Sequence, residues 1–209
     1  MVIRHPKRDP EGTRRRILEA ATEEFARGGF AGARVDRIAN GAEANERMLY
    51  YYFGNKESLF RAVLEHAYLQ LVEAERSLEL DALTPEDAMR ALVAFIWQYY
   101  TDHPELITLV NSENLHQARH LKGSTIVHEL LSPTVQIIAG ILRRGEAAGV
   151  FRTGIDAMQM YISIASLGYF HLSNRHTLST VLGIEITAPE MLKAHLQHNT
   201  ELVMRFLRA

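Results

Sequence analysis

Glu113, His116 and His120 place a carboxylate and two imidazoles at spacings of three and four residues, which shares one face of a helix and can hold a divalent metal. The chain has ten histidines, so pairs at this spacing also arise by chance. A carboxylate-bridged di-iron bundle needs two Glu-x-x-His motifs, and Glu113 to His116 supplies a single one. No catalytic centre follows, so the chain is not expected to be an enzyme or to carry a cofactor. A metal-binding helical protein or metal sensor built on these residues stands as the alternative reading. The sequence has no cysteine. That excludes a thiolate zinc site, a disulfide framework and a cysteine nucleophile, and it fits a reducing compartment.

A second constellation lies earlier. Glu46, Arg47 and Met48 are followed by Tyr50, Tyr51 and Tyr52. An arginine can donate two parallel hydrogen bonds to guanine, and a glutamate can accept from a cytosine amine. Phenolic hydroxyls donate to phosphates. Against this, one of three consecutive helical residues is expected to face a core. Charge points the same way as the arginine. Residues 1–61 hold twelve basic and nine acidic side chains, a net +3, whereas residues 62–209 hold 11 and 16, a net -5. Arg4, Lys7, Arg8, Arg14, Arg15 and Arg16 crowd the first sixteen residues. An anionic partner is expected for the N-terminal part alone.

Helices must position these groups, because the apolar period is helical nearly throughout. Ile17, Leu18, Ala21 and Phe25 mark a first helix from near Gly12 to Gly28-Gly29. A short helix spans about Val35 to Gly41, with Ile38, Ala39 and Ala42 inward. A turn at Glu43-Ala44 leads to Asn45, an N-cap for a third helix ending at Phe53. Lys56 opens a long helix to about Leu78. Thr84-Pro85 starts another, and Pro104 begins a further one through Leu115. A short helix is expected over Ser124 to Leu131, then one from Pro133 to Ala148. Asp156 and Pro189 start the last two. No segment is apolar for long enough to span a bilayer or to form a secretory leader, so a cytoplasmic protein without a membrane partner is expected.

Helix, short helix, tight turn and short helix within residues 12–53 is the layout of a helix-turn-helix reader of DNA. Ile17-Leu18-Glu19-Ala20-Ala21, Phe25, Gly29-Phe30, Ile38-Ala39, Leu49-Tyr50, Tyr52-Phe53 and Lys56-Glu57-Ser58-Leu59 resemble the DNA-binding domain of TetR-type transcriptional regulators. Gly149-Val150-Phe151-Arg152 is also common in that family. Phe30-Ala31-Gly32-Ala33-Arg34 and Leu49 to Phe53 look like the branch that contains the regulator of pyrimidine catabolism. The resemblance implies backbone contacts from Tyr50 and Tyr52, a base or sugar contact from Tyr51, and a phosphate on Lys56 at the next helix N-terminus. It departs from the family at three places. The turn reads Ala42-Glu43-Ala44-Asn45 where the family has Ala-Gly-Val-Ser. Arg47-Met48 replaces Gly-Thr, and Arg34 stands in place of a capping threonine. An adaptor whose reading motif has decayed is therefore a further alternative.

The expected architecture is all-α: a three-helix DNA-binding domain over residues 1–55 and a larger helical bundle over 56–209 for dimerisation and ligand binding. Arg34, Asn45, Glu46, Arg47, Met48, Tyr50, Tyr51, Tyr52 and Lys56 are the DNA-binding candidates. An effector pocket needs apolar walls with a few polar groups, and Trp97, Tyr100, Asn111, Glu113, Asn114, Tyr161, Tyr169 and His171 are the candidates for it. By resemblance the last two long helices build a four-helix dimer interface, since a reader of palindromic operators needs a two-fold partner. The function implied is a repressor released from double-stranded DNA by a small molecule.

Overall fold

The computed structural model describes residues 9–126 and 132–208, in which every regular element is helical. Their order is α1 Pro10–Gly32, α2 Val35–Gly41, α3 Glu46–Phe53, α4 Lys56–Arg76, α5 Pro85–Asp102, α6 Pro104–Leu115, a 3-10 turn Leu121–Gly123, α7 Ser132–Ala147, α8 Ala157–Ser173, α9 Arg175–Leu182 and α10 Pro189–Leu207. Asp9 caps α1, its carboxylate accepting from the Gly12 amide at 2.9 Å. The helix breaks where expected, because Gly29 adopts φ 62 and ψ -178, backbone that side chains other than glycine's hydrogen rarely allow. Residues 1–8 and 127–131 lie outside the description. With them go Arg4, Lys7 and Arg8 and most of the helix expected over Ser124 to Leu131.

The chain forms two compact units, one ending at His66 and taking in Thr108–Ser124, the other comprising Ala67–Ile107 and the residues from Thr125. A division at residue 55 would separate Phe60 from its partners. The Phe60 ring meets Phe25 and Phe30 at centroid distances of 4.8 and 5.3 Å. The Phe30 amide donates to Ser112 Oγ at 3.1 Å, which binds the second half of α6 into the same core. Thus α4 and α6 each contribute residues to both units.

In the second unit α5 is central, packed by α7, α8 and α10. Its apolar stripe, Leu92, Val93, Ile96 and Trp97, is buried. Phe151 is buried too and bridges to Arg208, while the Arg152 amide donates to the Leu207 carbonyl at 2.8 Å. The connector after Gly149 is therefore pinned to the end of α10. Between α8 and the last helix the structure adds α9, which the sequence reading passes over.

Candidate nucleic-acid interface and effector interior

Helices α2 and α3 are joined by Ala42-Glu43-Ala44-Asn45. The Ala42 and Ala44 amides donate to the carbonyls of Ile38 and Ala39 at 3.0 and 2.9 Å, and Arg16 Nε donates to the Ala42 carbonyl at 3.3 Å. Glu43 has φ 51, the left-handed conformation that favours glycine. A non-glycine residue there carries about 1–2 kcal/mol of strain, partly offset by glycine's larger entropy loss on folding, about 0.5–1 kcal/mol. Glu43→Gly should therefore stabilise the protein by up to about 1 kcal/mol. A urea midpoint that stays level or falls would show that the turn tolerates glutamate without strain.

Asn45 caps α3, its side chain accepting from the Met48 amide at 2.9 Å. Leu49 and Phe53 occupy the buried face. Four residues apart, they satisfy the inward requirement themselves and leave Tyr50 and Tyr51 free of the core. Tyr50 is 44% and Tyr51 82% exposed. Tyr52 is half-buried, its ring edge-on to Tyr51 at 5.1 Å. Glu46 and Arg47 are exposed and Met48 half-buried. The Arg47 side chain makes no hydrogen bond or ion pair among the described residues. The outward face of α3 thus presents one uncommitted guanidinium and two phenols on a helix about 12 Å long, about the width of a B-DNA major groove.

Other candidates are already engaged. Arg34 pairs with Asp36 through two hydrogen bonds of 3.0 and 2.7 Å, and α2 has no side-chain cap. Lys56 Nζ donates to the Ala33 carbonyl at 2.6 Å and sits 5.1 Å from the Phe30 ring centre. Burial lowers its pKa. Arg14 lies over Phe53 at 5.1 Å, Arg15 pairs with Glu19 at 3.8 Å, and Arg16 also reaches Thr13 Oγ1. Each of these cations still touches solvent, but part of its donor set fastens the three-helix unit.

The metal constellation does not form. Helix α6 ends at Leu115, and Gln117 and Ala118 take positive φ, so His116 and His120 share no helical face with Glu113. The Glu113 carboxylate instead accepts from the His120 and Leu121 amides at 2.8 and 2.9 Å and contacts His120 Nδ1 at 2.6 Å. His116 Nδ1 lies 2.7 Å from the Ser112 carbonyl. Both imidazoles pack on Phe30. Among the described residues no cluster of histidine and acid groups is arranged to hold a metal.

The effector candidates divide between the units. Asn111, Glu113 and Asn114 belong to the first, and Trp97, Tyr100, Tyr161, Tyr169 and His171 to the second. Trp97 is buried, with the rings of His171 and His195 at 5.4 and 5.3 Å. His171 Nε2 lies 3.0 Å from the Ile186 carbonyl. Burial pushes the phenols of Tyr99 and Tyr161 to about 12 and raises that of Tyr100 further. Glu75, outside the candidates drawn from the sequence, is 2% exposed and accepts a hydrogen bond from Thr134 Oγ1. The signal was present, because Glu75 follows Leu71 and Val72 by four and three residues and so continues the buried stripe of α4. On α8 and α10, Ile162, Phe170, Leu202 and Phe206 stand exposed around an apolar groove of about 630 Å³. No helix among the described residues is long and apolar enough to cross a membrane.

Two family models match the chain: "Bacterial regulatory proteins, tetR family" over residues 17–63 and "Tetracyclin repressor-like, C-terminal domain" over residues 85–203. The HTH-type transcriptional repressor NicS of Pseudomonas putida is 44% identical over 196 residues, covering 94% of this chain and 92% of that protein. The HTH-type transcriptional regulator RutR of Escherichia coli is 29% identical over 136 residues, 64% of each chain. Among solved structures, a regulatory protein in the tetR family from Rhodococcus superposes with a TM-score of 0.73 at 18% identity, covering 94% of this chain and 97% of its own.

Proposed function

The chain belongs to the TetR family of bacterial transcriptional regulators, and from that premise we propose that it is a homodimeric, ligand-released repressor in which Arg47, Tyr50 and Tyr51 read a palindromic operator. The observation that carries this reading is the outward face of α3, where an uncommitted arginine and two exposed tyrosines stand opposite a sealed apolar face. Arg47 takes base edges, with Glu46 and Met48 beside it. Tyr50, Tyr51 and Tyr52 hold sugar, phosphate or a thymine methyl. Asn45 and Arg34 serve the fold first, as a cap and an ion pair, and reach DNA through what remains exposed. Lys56 adds positive charge at the start of α4, where the helix N-terminus also favours phosphate.

The effector is held in the second unit by Trp97, Tyr100, Tyr161, Tyr169 and His171. It releases DNA by binding better to a conformation in which the two α3 helices of the dimer lose the spacing of successive major grooves, about 34–36 Å. DNA must then weaken ligand binding by the same factor. Helices α4 and α6, whose residues belong to both units, are continuous elements available to link the two events.

Selection of random duplex DNA by the purified protein, followed by salt titration of the enriched sequence, tests the reading. An enriched palindrome whose affinity falls steeply with salt is the expected result. No enrichment at low salt would overturn it in favour of an adaptor with an inactive motif.

A further inference from the structure

Glu75 is the most deeply buried acid among the described residues of the second unit. It sits in the last turns of α4 and lines a cleft of about 480 Å³ together with Leu78, Leu80, Asp81, Pro133 and Ile141. That volume lies within the range of small-molecule sites, about 300–1,000 Å³. The carboxyl has one hydroxyl partner, Thr134 Oγ1 on α7. Among the described residues no cation figures among the groups acting on it, and burial raises its pKa. Arg76 borders the same cleft but is exposed and does not offset that burial. Glu75 acts electrostatically on Tyr99 and Tyr100 of α5 and Tyr161 of α8, and Tyr68 and Tyr169 act on Tyr100 in turn.

A buried acid without a counter-charge is costly, and a protein retains the cost when a partner from outside relieves it. We propose that the effector is an organic cation, a protonated or quaternary nitrogen on a small apolar body, whose charge is held by Glu75 in the α4–α7 cleft against Leu78, Leu80, Pro133 and Ile141. This assignment rests on the reading of the second unit as the effector site. Glu75 holds the charged nitrogen, and Thr134 orients the carboxyl by donating to one oxygen. The apolar body lies against Leu78, Leu80, Pro133 and Ile141.

The test uses the full-length protein and three probes of similar size, benzylammonium, benzyl alcohol and benzoate, with binding followed by calorimetry and thermal shift in the absence of DNA. Benzylammonium should bind and raise the Tm at millimolar concentrations where the neutral and anionic probes do not. Glu75→Gln keeps an acceptor for Thr134 but removes the charge, and should weaken benzylammonium about 10- to 100-fold, as expected for one charge-assisted contact. Equal binding of all three probes, binding of none, or unchanged cation affinity in Glu75→Gln overturns the assignment. The comparison of probes needs only the wild-type chain, so a poorly folding variant does not remove the test. Operator release is measured separately on a panel of ring compounds. Release by neutral or anionic compounds alone overturns the cation inference while leaving the repressor reading intact. A chain that selects no operator overturns the repressor reading without touching the binding result.

Discussion

Arg47→Ala should abolish most of the sequence discrimination of the protein while leaving its weak, salt-sensitive affinity for any duplex nearly intact. A bidentate arginine–guanine contact is worth about 1–3 kcal/mol of discrimination. A palindrome bound by a two-fold dimer contains that contact twice, so the loss for the enriched operator is about 2–6 kcal/mol, roughly thirtyfold to ten-thousandfold. The folded state should not register the change, because Arg47 is exposed and makes no bond among the described residues that its removal would break. Fluorescence anisotropy on the selected operator and on a scrambled duplex, at one fixed salt concentration, separates the two affinities. Equal losses on both duplexes would make Arg47 a phosphate contact, and the base reading would pass to Glu46 or Tyr51. No loss on either would remove α3 from the interface.

Why α3 was readable while the region after Leu115 was not is a matter of which signals are local. The ends of α2 and α3 are set by residues that act within one turn. Asn45 accepts from the amide of Met48, and Gly54 ends the helix with φ 78. The apolar spacing of Leu49 and Phe53 then fixes which face turns outward. A helix continued through His120 would bring Glu113, His116 and His120 onto one face. The helix stops at Leu115 with no glycine or proline to mark the place, and two ordinary residues, Gln117 and Ala118, take positive φ. What holds them is Glu113, whose carboxylate gathers the amides of His120 and Leu121. That satisfied acid resembles a ligand only as long as the turn is unknown. Helix α9 was passed over for a different reason: none of its residues is buried, so no apolar stripe exists to betray it. The compact units do not divide at residue 55, because Phe60, Ser112 and Phe30 meet across long stretches of sequence, a contact that no periodicity encodes.

A charge placed on the exposed face of α8 and α10 should separate the dimer and, with it, most of the operator affinity. Phe170 is 60% and Leu202 44% exposed in the single chain, and both border the apolar groove with Ile162 and Phe206. Four large apolar side chains in one patch are more than a lone surface residue can explain, and they mark a surface that is buried in use. In a two-fold contact each copy presents the same patch, so Phe170→Glu or Leu202→Glu introduces two charges into one interface. Burying them unpaired is prohibitive, whereas the isolated chain keeps both side chains in water and should change in stability by no more than about 0.5 kcal/mol. Light scattering after size exclusion should therefore report a folded monomer with an unchanged circular dichroism spectrum. The second recognition helix no longer acts at high effective concentration, and operator affinity should fall by about 10²- to 10⁴-fold. Half-site affinity at low salt should survive, because α3 and its caps lie in the other unit. A dimer that persists in both variants with full operator affinity would move the two-fold contact elsewhere on the chain. A monomer that still binds the palindrome as tightly as wild type would mean that one copy reads the whole site, which an α3 of eight residues is too short to do.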